Sequence, residues 1–143
     1  MGLAAVEKIL GGKKTLHKTI HNRMDLIEVS NAGLTKEALV RLTGYLNISM
    51  HQCVELLPVT ERTLQRYGAN EHFGRVLSEH ILLIAEVAAR GSEVFEDKEK
   101  FIGWLNMPSV AFAKKTPLSL LNSKFGVDMV LDELGRIEHG VFS

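Results

Sequence analysis

The residues of this 143-residue chain whose types suit chemistry are six histidines, one cysteine and a short glycine–lysine run. His17 and His21 are four apart, a spacing that on a helix turns two imidazoles toward one metal ion. No third ligand or neighbouring glutamate completes the set, so a solvated helix face is the expected setting. His80 stands among apolar residues, as a hydrogen-bonded core or interface histidine does. Cys53 falls on the buried side of a helix with no base beside it, which suits packing rather than nucleophilic attack. Gly12-Lys13-Lys14-Thr15 has the form of the end of a phosphate loop. Glu7 occupies the place of the required earlier glycine, however, and no strand precedes the run. No catalytic residue, cofactor or metal is expected, and the chain is read as a protein other than an enzyme.

Two other stretches have types and spacing that suit binding. In Ser49–Tyr67, two short helices joined by a few residues form a helix-turn-helix candidate, one helix bracing and the next entering the major groove of DNA. Thr60 caps the second helix, which turns Leu64 inward and presents Arg62, Thr63, Gln65 and Arg66. These are residue types that contact base edges and phosphates. Leu57-Pro58-Val59 replaces the tight glycine often found in such turns, and Glu61 would be repelled by phosphate. A plain helical hairpin with a polar face fits the same pattern. The other stretch is the chain end, Arg136, Glu138, His139, Gly140, Val141, Phe142 and Ser143. Here a charged helix runs into an apolar tail of the kind that docks into a partner's cleft. A fraying terminus is the alternative.

The elements that position these stretches read as helices throughout. Gly2–Leu10 suits a short helix stopped by Gly11-Gly12, and residues 13–24 are basic with no clear pattern. Asp25–Asn31 is helical or extended, ending at Gly33. Thr35 caps a helix carrying Ala38, Leu39, Leu42, Tyr45 and Leu46 at the 3.6-residue period, with Asn47 as its stop. Ser49-x-x-Gln52 has the spacing of a capping box. The longest helix is expected over Glu71–Arg90, buries Phe73, Val76, Leu77, His80, Ile81, Ile84, Val87 and Ala88, and ends at Gly91. Asp97 caps a short helix with Phe101, Trp104 and Leu105 inward. Thr116-Pro117 reads as the N-cap and first position of another. The last helix runs from Val127 to Glu138, and Gly140 terminates it.

Bulk properties agree with a folded, helical, soluble chain. Hydrophobic residues make up 45% and charged residues 24%, no apolar run approaches the roughly 20 residues that span a bilayer, and the first ten residues lack the features of a signal peptide. A lone cysteine gives no reason to expect an oxidising compartment, so the cytoplasm is the expected setting. Net charge is zero, yet residues 1–75 hold ten Lys/Arg against seven Asp/Glu and residues 76–143 hold seven against ten. DNA needs a local basic surface rather than a basic whole.

The run Leu105-Asn106-x-Pro108, Thr116-Pro117-Leu118-x-Leu120-Leu121, Gly126-x-x-x-Val130 and Leu134-Gly135-Arg136-Ile137-Glu138-His139-Gly140 resembles the toxin-binding domain of the Xre/MbcA/ParS antitoxin family. Trp104 and the Glu93–Asp97 approach fit it too, and Gly33–Arg66, above all Thr63-Leu64-Gln65-Arg66, resembles that family's Xre-like DNA-binding module. Ala111–Lys115 departs from the small, glycine-containing loop more usual there.

The resemblance implies an all-α fold in three parts: an N-terminal segment (1–32), an Xre-like helix-turn-helix module (33–70) and a helical toxin-binding domain (71–143). It implies a partner toxin with a RES domain, an NAD-consuming enzyme of ADP-ribosyltransferase-like type. It also implies binding of operator DNA for autoregulation and a homodimer within a larger complex. The DNA contacts carried over are Thr60, Arg62, Thr63, Gln65 and Arg66, and the toxin contacts are Arg136 and Glu138–Ser143. Glu138 and the terminal carboxylate would act as acceptors in a cleft built for an anionic dinucleotide. Phe142 would fill an apolar pocket, and Arg136 would pair with a toxin carboxylate. A stand-alone regulator with a ligand- or protein-binding C-terminal half is the alternative.

Overall fold

The computed structural model describes residues 2–140, and these form helices with no strand among them. Helix α1 (Leu3–Ile9) and the single turn α2 (Gly12–Leu16) precede α3 (Arg23–Ala32). Where the sequence leaves helix and strand open, α3 is helical because Asn22 caps it, its side chain accepting from the Asp25 amide at 3.0 Å. His17 has a left-handed φ of 58° and His21 lies in the irregular approach to α3, so the two imidazoles do not share a helix face. Among the described residues, no three His, Cys, Asp or Glu side chains converge as a metal site would require.

Gly33 closes α3 with φ 92°, and a Cβ there would stand 2.2 Å from the Phe73 carbonyl oxygen. This close approach is the first join between the helix-turn-helix unit and the rest. The Phe73 amide donates to the Leu34 carbonyl at 2.7 Å, and the Leu34 amide donates to the buried Ser78 hydroxyl at 2.8 Å. His72 Nδ1–H donates to the Gly33 carbonyl at 2.7 Å. Helix α4 (Lys36–Leu46) follows and buries Ala38, Leu39, Leu42 and Leu46 as the period predicts. Thr35 takes the extended cap conformation without forming the expected side-chain bond, and Asn47 ends α4 in the left-handed region.

The long helix α7 (Arg75–Phe95) is the spine of the fold, packed against α1, α3 and the C-terminal helices. It differs from the sequence expectation at both ends. Phe73 is held in extended pairing with Leu34, so the helix starts only at Arg75 rather than Glu71. Gly91 does not stop it. A Cβ at Gly91 would lie 2.0 Å from the Phe101 ring, so this glycine makes room for an aromatic ring inside a continuing helix. The end comes at Glu96, with φ 57°. Val76, placed by period on the buried stripe, is 59% exposed.

Helix α8 (Lys98–Leu105) is capped by Asp97, which accepts from the Glu99 and Lys100 amides. A loop closed by the Ser109–Lys115 bridge carries a 3-10 turn, Val110–Phe112. Phe112 turns inward against a half-buried Trp104. Thr116-Pro117 opens a second 3-10 turn, Leu118–Asn122, rather than an α-helix, with Thr116 Oγ1 accepting from the Ser119 amide at 3.2 Å. The last helix, α9 (Lys124–Gly140), starts three residues before Val127 because the Ser123 hydroxyl accepts from the Gly126 amide at 3.1 Å. Its buried Val127, Val130 and Leu134 lie along α7, whose Ala85, Ala88 and Ala89 are also buried; Leu131 and Ile137 are only half-buried. His80, buried as expected, spans the join by donating Nε2–H to the Leu121 carbonyl at 2.8 Å.

Candidate functional site

The helix-turn-helix consists of α5 (Met50–Val54) and α6 (Glu61–Arg66), with α4 packed behind α5. The Ser49–Gln52 capping box forms in full, the serine hydroxyl taking the Gln52 amide and the Gln52 side chain taking the Ser49 amide. Cys53, Val54, Leu56, Leu57 and Leu64 are buried beneath the pair. Burial without a neighbouring base pushes the Cys53 thiol up to about 12, which makes it packing material.

On α6, Thr60 accepts from the Thr63 amide at 3.1 Å and its hydroxyl donates to the Thr63 hydroxyl at 2.9 Å. The cap therefore engages both threonines. Arg62, Thr63, Gln65 and Arg66 are all exposed on the same short helix. Among the described residues neither Arg62 nor Arg66 has an ion-pair partner. Lys36 Nζ donates to the Gln65 carbonyl at 3.4 Å, placing a cation at the C-terminal end of α6.

Glu61, the residue whose charge opposes phosphate, is engaged. His51 on α5 lies 3.0 Å from it through Nδ1, and Glu55 is 3.9 Å from the other ring nitrogen. The hydrogen bond and charge of Glu61, then the charge of Glu55, raise the His51 pKa. When protonated, His51 offsets part of the acidic charge at the start of the candidate recognition helix. That pairing links residues ten apart across the turn, and no short-range pattern in the sequence marks it.

At the other candidate site, the end of α9 is fastened to α7. Arg90 donates to Glu138 at 2.5 Å and to Glu93 at 2.9 Å. The Arg90 hydrogen bond and charge hold the Glu138 carboxyl below the ordinary glutamate range. Arg136 is 69% exposed and makes two bonds to Glu133, at 2.8 and 2.6 Å, on its own helix. His139 is exposed with Nε2 3.4 Å from Glu138, and Gly140 is the last helical residue. Val141, Phe142 and Ser143 lie outside the described residues. Thus Arg136 and His139 stand clear of the surface, whereas Glu138 already has a cation of its own chain.

Sequence reasoning missed a groove of ≈ 620 Å³ between α3 and α7, closed at one end by Asn122–Lys124. It also missed Phe125, which is 84% exposed in the first turn of α9. Starting that helix at Val127 leaves Phe125 outside it. The Ser123–Gly126 capping spacing was the signal that could have moved the boundary.

The arrangement defines a helical protein with a helix-turn-helix unit and a second helical binding unit built on one long helix. A family model described as the antitoxin Xre-like helix-turn-helix domain matches residues 25–86. A second, the antitoxin Xre/MbcA/ParS C-terminal toxin-binding domain, matches residues 90–140. A protein named Antitoxin Xre, from Yersinia enterocolitica serotype O:8 / biotype 1B, is 29% identical over 122 residues, covering 82% of this chain and 81% of that protein. The chain belongs to the Xre/MbcA/ParS antitoxin family.

Proposed function

We propose that this protein is the antitoxin of a toxin–antitoxin pair whose partner is a RES-domain, NAD-consuming toxin. It covers the toxin's active-site cleft with the end of α9 and binds its own operator through α6, repressing the operon as a homodimer in the cytoplasm, where that DNA lies. The observation that carries the reading is the junction of the two units on one chain. Exposed, unpaired guanidinium groups stand on the second helix of a helix-turn-helix, and a toxin-binding domain ends in a helix pinned by Arg90. Thr60 serves as the cap; Arg62, Thr63, Gln65 and Arg66 face the DNA. Arg90 ties Glu138 to another helix, whereas Arg136, bonded only to Glu133 of its own helix, stays 69% exposed; the first groups offered to the toxin are therefore Arg136, His139 and the Gly140–Ser143 tail.

Co-expression with the neighbouring toxin gene tests the toxin side. The full chain restores growth, and a chain lacking Val141–Ser143 restores it poorly; full rescue by the shortened chain refutes the role of the tail. On the DNA side, Arg62→Ala with Arg66→Ala abolishes the shift of the promoter fragment while leaving toxin capture intact. Unchanged promoter affinity at matched salt refutes that assignment.

A further inference from the structure

Residues 1–24 lie outside both ranges matched by the family models, and the functions above make no use of them. Their basic run is not a loose arm. Leu10 and Ile20 are buried on either side of it, and the Ile20 amide donates to the Glu7 carboxylate at 2.7 Å. Between these anchors the chain makes the turn α2, entered through Gly11 at φ 109° and Gly12 at φ 78° and left through His17 at φ 58°. Helix α2 packs against α1 and α4. Lys13 and Lys14 are both exposed on it, and among the described residues neither has an ion-pair partner. Lys18, just beyond, is neutralised by Asp25 at 3.4 Å and Glu28 at 2.8 Å.

The turn stands beside the helix-turn-helix. Lys14 and His17 share the walls of a polar cleft of ≈ 580 Å³ with Arg41 of α4 and with Asn70 and His72, in the loop that follows α6. Thr35 also lines the cleft, and its neighbour Lys36 is fastened to α6 by the bond to the Gln65 carbonyl. Thus α2, the start of α4 and the end of α6 are neighbours on the surface. The carboxylates there are engaged: Glu37 pairs with Arg41 at 3.1 Å, and Glu71 accepts from the Gly68 amide at 2.9 Å.

We propose that α2 is a clamp on the DNA backbone, in which Lys13 and Lys14 hold phosphates of the operator flanking the groove that α6 enters. The inference rests on the operator-binding reading above and adds a second surface to it. Helix α6 spans about 9 Å with its six residues, so the contacts that fix its register on the duplex must come from elements around it. The chain carries no net charge, which makes attraction to DNA depend on local cations of this kind. The cleft beside the lysines is lined without Phe, Tyr, Trp or any large aliphatic side chain. It therefore offers neither a platform for a stacked base nor a pocket for a protein's apolar anchor. Two adjacent ammonium groups on a fixed turn suit a phosphodiester backbone, read by charge and not by sequence.

Fluorescence anisotropy of the full chain with a labelled promoter duplex, titrated over a range of salt, tests the clamp. Lys13→Ala with Lys14→Ala lowers affinity about ten-fold at about 0.1 M salt and reduces the slope of log affinity against log salt by about two. Lys13→Arg with Lys14→Arg keeps both values. Affinity for an unrelated duplex falls by the same factor, because a backbone contact reads no sequence, and toxin capture is unchanged. A double-alanine variant with the wild-type salt slope overturns the proposal, since a loss of affinity at constant slope is structural. So does loss of toxin capture in place of DNA affinity, because the turn would then belong to the toxin. The unrelated duplex separates this inference from the reading beneath it. A wild type that prefers no sequence, while the double variant still loses slope, refutes operator recognition and leaves the clamp standing. A wild type that binds no duplex overturns both.

Discussion

Gly126→Ala is a sharp test of how α9 is seated. In an open helix interior, glycine to alanine stabilises by about 1 kcal/mol through backbone entropy. Gly135, on the same helix, has nothing within 4 Å of an added Cβ and should show that gain. At Gly126 the added Cβ would stand 1.7 Å from the Leu120 carbonyl oxygen and 2.7 Å from its carbon. Ordinary contact needs about 3.5 Å. The obstacle is backbone in a 3-10 turn, so no rotamer change relieves it, and α9 must move off Leu120. Overpacking of this kind costs about 1–3 kcal/mol where side chains can adjust and more where they cannot. After the helix-propensity gain, a net loss of about 2–4 kcal/mol remains. At roughly 3–4 °C per kcal/mol for a chain of this size, thermal unfolding followed at 222 nm should fall by about 6–16 °C for Gly126→Ala. It should rise by about 3 °C for Gly135→Ala. Toxin capture should weaken with Gly126→Ala alone. If the variant melts at or above wild type, the close approach of α9 to Leu120 is wrong, and with it the account of how the toxin-binding end is positioned.

Three further outcomes follow from the same geometry. Arg90→Ala should loosen the end of α9 and weaken toxin inhibition, while Glu138→Gln, which keeps a hydrogen-bond acceptor, should retain most of it; equal loss in both would mean that Glu138 itself meets the toxin. His51 should titrate above the ordinary histidine value by NMR and return toward it in Glu61→Gln. Its folded-state pKa is raised, so its contribution to stability is complete below the unfolded value and fades as pH rises through the folded one; a shift that survives Glu61→Gln would refute the pairing. Cys53 should resist a soluble thiol reagent until the chain unfolds, and rapid labelling of native protein would contradict its burial.

Element types were legible where local chemistry sets them. The Ser49 capping box, the Thr60 and Asp97 caps and the left-handed Asn47 stop all depend on residues within four positions, and each helix they bound is present. The failures occur where distant residues decide. Gly91 reads as a stop until Phe101 arrives to fill its missing Cβ, and Glu71–Gly74 reads as helix until Leu34 takes the Phe73 amide. At the sites, α6 and its exposed face could be read from period and capping alone. The Arg90–Glu138 pair, 48 residues apart, and the His51–Glu61 pair could not, because helical periodicity carries no information about which helix comes to lie beside which.

The position of α7 explains why the chain reads as two units yet folds around one helix. Its first turn holds the helix-turn-helix through Ser78 to Leu34, its second turn holds the 3-10 turn through His80 to Leu121, and its C-terminal part holds the end of α9 through Arg90 to Glu138. Each tie uses a polar side chain of α7. Two of them, Ser78 and His80, are buried, where an unsatisfied partner is costly and register is therefore strictly imposed. A slide of α7 by one turn would break all three bonds together. The helix-turn-helix and the end of α9 are thus both tied to the one helix. Displacing the helix-turn-helix along α7 breaks the buried Ser78–Leu34 bond, and displacing the end of α9 breaks the part-buried Arg90–Glu138 pair.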